Sequence, residues 1–139
     1  MRTELIQIKI QEIQDNLKII EENLPENYEE FKKLGLVKDG IYKKIESSLE
    51  NVIDICSIIN SDLKLSLPDS DETILDNLNK EGILSDEMTD ILKDMKGFRN
   101  ILVHRYGKID DKIAFRILNE NIKDFYRIID IIENFIEKK

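Results

Sequence analysis

Residues 6–24 read IQIKIQEIQDNLKIIEENL, and their apolar side chains recur at alternating intervals of four and three residues. This spacing draws one apolar stripe along an α-helix and does not fit the alternation of a β-strand. We predict a helix from about Thr3 to Asn23, with Thr3 able to cap its start. Pro25 should end the helix, because the residue before a proline is pushed out of the helical region. The stripe consists of Ile6, Ile10, Ile13, Leu17, Ile20 and Leu24.

The same helical spacing continues along the rest of the chain. A second stripe predicts a long helix that starts near Asp39, and a third predicts a final helix after residue 111. Between them we expect a short helix over about 72–80 and a helix from Ser85 to Gly107. The chain is therefore predicted to be all-α, an up-down bundle of about five helices in a single domain, residues 1–139. The two further stripes are Ile41, Ile45, Leu49, Val52, Cys56, Ile59, Leu63, and Leu118, Ile122, Phe125, Ile129, Ile132, Ile136.

Composition limits the class of protein. The chain has 139 residues, of which 41% are hydrophobic and 36% charged, which is enough to form a core and too apolar for a disordered acidic tail. Its apolar runs are too short for a membrane span or a signal peptide, so we expect a cytoplasmic protein without membrane contact. Cys56 and His104 occur alone, which excludes an internal disulfide and the usual zinc sites. We expect no metal and no cofactor, although composition leaves carboxylate-bound Mg²⁺ open.

Positive charge concentrates in residues 93–116. The chain has a formal charge of −8, yet this window holds seven basic and three acidic residues, against fourteen basic and twenty-six acidic ones elsewhere. Three of the five arginines and the only histidine also fall there. Because basic side chains attract phosphates, the window is a candidate RNA-binding surface, and a solvated basic face explains the charges equally well. The candidate RNA contacts are Arg105, Lys108, Lys112 and Arg116.

The segment GFRNILVHRYG, residues 97–107, carries several polar groups on a helix that is otherwise apolar on its core face. Arg99 has a planar guanidinium, which can bind phosphate oxygens in two places. Imidazole, present once at His104, is the side chain best suited to proton transfer near neutral pH. Without a metal, this pair suits the cleavage of RNA by its own 2′-OH. The competing interpretation is that His104 is a surface or capping residue.

A single histidine per chain favours a dimeric site. Attack by a 2′-OH benefits from a base on one side and an acid on the other, and two chains provide two imidazoles. Arg99 and His104 are also five residues apart, which is about 140° around an ideal helix, so they converge poorly within one chain. A two-fold dimer that packs this helix against its copy would pool both pairs and their positive charge. Asn100, four residues before His104, can contact it on one helix face.

The segment Arg99-x4-His104-x-Tyr106 resembles the Arg-x4-His-x-Tyr signature of the HepT toxins, a branch of the HEPN superfamily. Gly97 and Phe98 before the motif, the residues 107–110 after it and the order of the helices extend this resemblance over nearly the whole chain. The resemblance implies a HEPN-type helical bundle. It also implies a metal-independent RNase toxin of a type VII toxin–antitoxin pair, which acts as a homodimer with a cleft built from both motifs.

The same resemblance implies a role for each polar residue of the motif. Arg99 and His104 are then catalytic, and Asn100 supports them. The antitoxin of such a pair is an MntA-type nucleotidyltransferase, which silences the toxin by adding AMP to a tyrosine. In this chain that tyrosine is Tyr106. AMP on Tyr106 would put bulk and negative charge where the RNA phosphate must lie.

Other interpretations remain open. A catalytically inactive HEPN module that partners a minimal nucleotidyltransferase would have the same fold. A plain structural helical dimer would contact neither RNA nor a nucleotidyltransferase through residues 99–106. Cys56 lies on an apolar stripe and is expected to be a buried, unreactive thiol. An acidic row on the same helix is expected to be solvated rather than metal-bound; it comprises Glu46, Glu50 and Asp54.

Overall fold

The computed structural model describes residues 1–138, and in that range it contains six α-helices, one 3-10 turn and no β-strand. The predicted all-α fold is confirmed, and the additional helix is the four-residue α2 in the first connection. No helix within residues 1–138 combines the length and hydropathy that a membrane-spanning segment needs. The elements are α1 (Thr3–Asn23), α2 (Tyr28–Phe31), α3 (Leu36–Asp62), α4 (Asp71–Lys80), α5 (Asp86–His104), the 3-10 turn (Tyr106–Lys108) and α6 (Asp111–Glu137).

Helix α1 begins where the sequence predicts but without the predicted cap, and α3 begins earlier than predicted. Thr3 is the first residue of α1 rather than its cap, and its hydroxyl donates to the Met1 carbonyl at 3.5 Å. Helix α3 begins at Leu36 instead of near Asp39, because Gly35 adopts φ 58° and ψ −122° and turns the chain directly into the helix. Glycine adopts this backbone conformation readily, whereas a residue with a Cβ is strained there. Asp39 therefore lies within the first turn of α3.

Side-chain caps fix the start of α5, which carries the polar motif, and the start of α6, which follows it. The Ser85 hydroxyl accepts a hydrogen bond from the Met88 N–H at 3.1 Å, as the sequence predicted. At the start of α6, Asp110 Oδ1 accepts from the N–H groups of Lys112 and Ile113 at 3.0 and 3.2 Å. Each cap satisfies N–H groups that have no partner within the helix. The Asp110 cap fixes where α6 begins after the short connection from α5.

Helix α3 is the centre of the bundle. It packs against α1, α4 and α5, while α6 packs against α1, α2 and α5. The α1 residues of the predicted stripe from Ile6 to Ile20 are all buried against this core. Because α3 has neighbours on several sides, its exposed surface is restricted largely to a polar strip. That strip includes Asp39 and Glu50, which bind Tyr106 and Arg99 of the polar motif.

Cys56 lies in the core of α3 and is 1% exposed. Burial raises the pKa of its thiol to about 12, because the thiolate loses its solvation there. The thiol is therefore protonated at neutral pH and inaccessible. The prediction that Cys56 is a structural residue agrees with this environment.

Candidate active site at the end of helix α5

The motif helix ends at His104, three residues before the predicted end at Gly107. The Arg105 N–H still donates to the Ile101 carbonyl at 2.9 Å, but Arg105 has φ −132° and ψ 30° and leaves the helical region. The chain then forms the 3-10 turn Tyr106–Lys108. Tyr106 consequently points towards α3 instead of continuing the surface of α5.

Arg99 lies among carboxylates contributed by two other helices. Its Nη1 donates to Glu50 of α3, and its Nη2 donates to Asp71 of α4 at 2.8 Å. Its Nε donates to Asn100 Oδ1 at 3.1 Å, and the side chain is 13% exposed. Burial alone would lower the pKa of the guanidinium, but the two carboxylates outweigh burial and raise it. These three bonds leave two of the five guanidinium N–H donors for another ligand.

His104 has a different environment. It is exposed at the C-terminal end of α5, where the helix dipole favours a positive charge. Within residues 1–138 no described hydrogen bond or ion pair joins His104 to Arg99 or to Asn100. The Asn100 amide oxygen accepts from Arg99 instead of contacting His104. The structure thus keeps Arg99 and His104 apart within one chain, as the 140° offset of an ideal helix predicts.

Tyr106 connects the motif to the start of α3. Its hydroxyl donates to Asp39 Oδ1, and its ring meets the Tyr42 ring edge-on with centroids 6.0 Å apart. The Tyr42 hydroxyl in turn donates to Asp111 at 2.6 Å. Tyr106 remains 45% exposed, and its pKa is raised to about 12, first by desolvation and then by the hydrogen bond to Asp39. The phenol is therefore protonated at neutral pH.

The four predicted RNA contacts fall into two groups. Lys112 lies on the side of α2, where it adds to the larger effect of Lys32 in lowering the pKa of Glu29. Arg116 lines a groove on the same side, together with Glu26. The other two residues flank His104 and Tyr106 in the exposed turn after α5, and they are Arg105 and Lys108.

Sequence reasoning missed three carboxylates of this site. Glu50 was predicted to be solvated, but it binds Arg99, and Asp71 binds the same guanidinium. Asp39, predicted only as a helix start, binds Tyr106. The acidic row itself is a set of ion pairs: Glu46 with Lys43, Glu50 with Arg99, and Asp54 with Lys9. No group of three or more His, Cys, Asp or Glu side chains in the described residues is arranged to hold a metal ion.

An apolar groove between α5 and α6 lies beside the basic turn. Ile101 and Ile113 in its wall are 42% and 48% exposed, respectively. An adjoining groove between the same helices shares three apolar residues with the first and also includes charged residues, among them Asp94 and Glu120. Asn121 lines this second groove, and its Nδ2 is buried without a hydrogen-bond partner in the described part of the chain. Such groups are rare in folded proteins, because an unpaired buried N–H loses its bond to water. The remaining apolar lining residues are Ile91, Phe98 and Ile117.

The sequence matches a known protein family. The profile of the family described as Ribonuclease HepT-like matches residues 13–132. The chain belongs to the HepT-like family. The resemblance drawn from the motif is therefore confirmed at the level of the family.

Two related proteins and one solved structure are informative. The chain is 29% identical to the mRNA nuclease HepT of Shewanella oneidensis over 104 residues, which is 75% of this chain and 78% of the relative. It is 28% identical to a putative RNase of Archaeoglobus fulgidus over 106 residues, 76% of this chain and 80% of the relative. The solved tri-AMPylated HEPN toxin of Shewanella oneidensis in complex with its MNT antitoxin superposes with a TM-score of 0.84. That structure is 28% identical, and the match covers 93% of this chain and 96% of the toxin.

Proposed function

We propose that this HepT-like protein is a metal-independent RNase and the toxin of a HepT/MntA-type, type VII, toxin–antitoxin pair. The observation that carries the proposal is the position of His104, exposed at the end of α5 beside a basic turn, with Arg99 five residues earlier on the same helix. The nuclease names of two relatives support the same activity. The net negative charge of the chain leaves RNA binding at this end possible, because Arg105 and Lys108 lie beside His104 in the exposed turn.

The proposed reaction uses protein side chains and needs neither a metal ion nor a cofactor. The 2′-OH attacks the adjacent phosphorus, the bond to the 5′-oxygen breaks, and the products carry a 2′,3′-cyclic phosphate and a 5′-OH. His104 moves a proton in this step, and the two remaining N–H donors of Arg99 stabilise the phosphorane charge. Asn100 supports Arg99 by accepting its Nε–H. Arg105 and Lys108 bind neighbouring phosphates, and Lys112 and Arg116 extend the contact along α6.

A homodimer completes this site. One chain provides one imidazole, and Arg99 does not contact His104 within it. The two adjoining grooves between α5 and α6 support an interface on this side of the molecule. They expose isoleucines, and one of them contains Asn121, whose Nδ2 has no partner among residues 1–138. A two-fold axis beside α5 would bring the second Arg99 and His104 to the same cleft.

An MntA-type nucleotidyltransferase is the proposed antitoxin, and Tyr106 is the proposed acceptor of AMP. A relative has been solved as a tri-AMPylated toxin with an MNT antitoxin, and Tyr106 is the exposed hydroxyl nearest in sequence to His104. An added AMP brings a phosphate and a nucleoside next to the catalytic histidine. Its charge and bulk would repel and displace the RNA backbone.

The activity is tested with purified, unmodified protein and a single-stranded RNA in excess EDTA. We expect cleavage to persist and the fragments to end in a 2′,3′-cyclic phosphate. Arg99→Ala and His104→Ala should each abolish cleavage. Arg127→Ala is the matched control, because Arg127 also pairs with two carboxylates, Glu87 and Asp124, but lies away from the motif. Products with a 5′-phosphate and activity lost in EDTA would contradict the proposal.

A catalytically inactive HEPN module that partners a nucleotidyltransferase is the second candidate. The observation in its favour is the burial of Arg99 between Glu50 and Asp71, which gives the arginine a structural role in joining three helices. Binding of a nucleotidyltransferase without RNA cleavage would support this alternative. If the protein neither cleaves RNA nor binds a nucleotidyltransferase, the remaining interpretation is a plain structural helical dimer.

A further inference from the structure

We infer that Asp39 is the general base that accepts the hydroxyl proton of Tyr106 when a nucleoside monophosphate is transferred to that tyrosine. The inference rests on the proposed function, because it concerns the modification of the same residue. It is carried by the hydrogen bond from the Tyr106 hydroxyl to Asp39 Oδ1. The two residues are 67 positions apart and belong to the 3-10 turn and the first turn of α3, so the fold itself creates this pair.

Asp39 is free to take a proton, whereas the neighbouring carboxylate is not. Asp111 accepts from Lys38 Nζ at 2.7 Å and from the Tyr42 hydroxyl at 2.6 Å, so both of its oxygens are engaged. Tyr106 is the partner that the described structure gives to Asp39. Asp39 is exposed, and the N-terminal end of α3 favours a carboxylate at this position.

The tyrosine requires a base for this chemistry. Desolvation and the hydrogen bond to Asp39 raise the pKa of Tyr106 to about 12, so the hydroxyl is neutral at physiological pH. A neutral hydroxyl is a weak nucleophile unless an adjacent base removes its proton during the attack. The hydrogen bond already aligns the Tyr106 proton with the acceptor oxygen of Asp39, which is the geometry that general base catalysis needs.

The transfer balances with a nucleoside triphosphate as co-reactant. Tyr106 Oη attacks the α-phosphorus and forms an oxygen–phosphorus bond while its proton passes to Asp39 Oδ1. The bond between the α-phosphorus and the oxygen that bridges to the β-phosphate breaks, and pyrophosphate leaves with that electron pair. Asp39 then returns the proton to water. The product is a phosphodiester of Tyr106, which can no longer donate a proton to Asp39.

The surroundings of Tyr106 suit a polyanionic reactant. Tyr106 and Asp39 line an open cleft, and the basic turn with Arg105 and Lys108 borders the tyrosine on its other side. A second tyrosine–carboxylate pair in the chain lacks this setting. The Tyr126 hydroxyl donates to Glu21 at 2.7 Å and is 43% exposed, but it lies within α6 rather than beside the basic turn, with Asp130 one helical turn later. Tyr126 therefore serves as an internal comparison.

The test uses a purified MntA-type nucleotidyltransferase to transfer AMP from ATP to the full chain in the presence of Mg²⁺. Intact-mass measurement and peptide mapping show how much AMP is added and at which residue. Asp39→Asn keeps an oxygen that accepts the tyrosine hydrogen bond but removes the base. We expect transfer to Tyr106 to become about 100-fold slower or worse, the usual contribution of a general base. Asp39→Glu should recover part of the rate. Glu21→Gln, which changes the carboxylate that accepts from the comparison tyrosine Tyr126 and lies outside the cleft, is the control and should not slow transfer to Tyr106.

A second measurement separates this role from a simple electrostatic effect. Removing the charge of Asp39 should lower the pKa of Tyr106. Spectrophotometric titration measures this pKa, and the Tyr106→Phe variant identifies which part of the signal comes from Tyr106. If the reacting species were a phenolate formed beforehand, Asp39→Asn would react faster than the wild type. If Asp39→Asn is modified at Tyr106 at an unchanged or faster rate, Asp39 is not the general base, but the proposed modification of Tyr106 still stands. A wild-type chain that receives no AMP, or receives it at Tyr126, would overturn the proposed modification of Tyr106 and the inference with it.

Discussion

Arg99 and His104 are the proposed catalytic residues, but Arg99 is largely buried between two carboxylates and His104 is exposed. Their substitution should therefore change the stability of the fold by different amounts. Arg99→Ala removes the cation between Glu50 and Asp71 and leaves two facing carboxylates, which are 50% and 32% exposed. We expect a loss of about 1–2 kcal/mol, because water partly compensates the unpaired charges. His104→Ala should change the free energy of unfolding by less than about 0.5 kcal/mol, as is usual for an exposed side chain. Urea denaturation of both variants measures these values.

The two carboxylates provide the control for this difference. If like charges cause the loss, Arg99→Ala combined with Glu50→Gln should recover part of the stability without recovering RNase activity. Equal stability of Arg99→Ala and wild type would mean that the ion pairs contribute nothing to the fold. A large loss in His104→Ala would make His104 a structural residue and remove it from the proposed mechanism.

The identities of the motif residues were readable from the sequence, but their partners were not. Arg99, Asn100, His104 and Tyr106 form one local pattern. The carboxylates that bind them lie 49, 28 and 67 positions away on other helices, and only the packing of α3 and α4 against α5 brings them together. Acidic residues are frequent in this chain, so no local signal distinguished Glu50, Asp71 and Asp39 from the solvated ones.

At the scale of helices, Gly35 sets the start of α3 and hence the position of Asp39. Its φ of 58° and ψ of −122° disfavour any residue with a Cβ, although the added Cβ would meet no atom within 4 Å. Gly35→Ala should therefore destabilise the fold by about 1–3 kcal/mol through backbone strain alone. Thermal unfolding measures the change.

Gly40 is the matched control on the same helix. It also has open space for a Cβ, but it lies inside α3 without a positive φ. Gly40→Ala should stabilise the fold by about 0.5–1 kcal/mol, because alanine loses less backbone entropy in a helix. Effects of the same sign in both variants would contradict the strain assigned to Gly35.

Asp111 links the start of α6 to α3 and should make stability depend on pH. Burial raises the pKa of its carboxyl, but the bonds from Lys38 and Tyr42 outweigh burial, so the pKa is lower in the folded state. The unfolded chain then binds the proton first as pH falls. The stability from Asp111 is complete above about pH 4 and is lost as pH falls through the folded pKa.

Urea denaturation between pH 7 and pH 2 tests this dependence. The stability difference between wild type and Asp111→Asn should be largest near neutral pH and shrink below about pH 4. Asp130→Asn is the control, because Asp130 is exposed on the same helix. A difference that grows on acidification would have the wrong sign and would exclude the ionised carboxylate as the stabilising form.

The helices were largely predictable because their apolar spacing is a local property. The bounds of α1 agree with the prediction, and Ser85 caps α5 as expected. The end of α5 was placed at Gly107 because glycine commonly ends helices. The helix ends earlier because Tyr106 packs on Tyr42 and binds Asp39, and these are tertiary contacts that no pattern within 97–107 contains.

On the scale of the whole molecule, a positively charged turn and an exposed apolar groove lie side by side at one end of the bundle. The chain has a formal charge of −8, yet the turn after α5 exposes Arg105 and Lys108 next to an apolar groove. A dimer formed there would bring two such turns together and cover the groove. The resulting cleft would attract RNA at this end, while the acidic remainder would repel it elsewhere.

The last prediction concerns how two chains share the cleft. Each chain has one His104, and Arg99 lies apart from it, so we expect the pairs to act across the dimer interface. Arg99→Ala and His104→Ala homodimers should both be inactive. A purified heterodimer of the two variants should be far weaker than wild type, because it retains one arginine and one histidine in the shared cleft.

A second heterodimer decides between a shared cleft and two independent ones. It combines one wild-type chain with one chain that carries both Arg99→Ala and His104→Ala, and RNA cleavage is measured per dimer. If each chain worked alone, this heterodimer would keep half of the wild-type activity, since one site would be intact. If the imidazoles of both chains serve as acid and base in one reaction, loss of one should lower the rate by the 10²- to 10⁴-fold typical of a proton-transfer group. Half-activity would therefore exclude the composite cleft even if Arg99 and His104 are both required for cleavage.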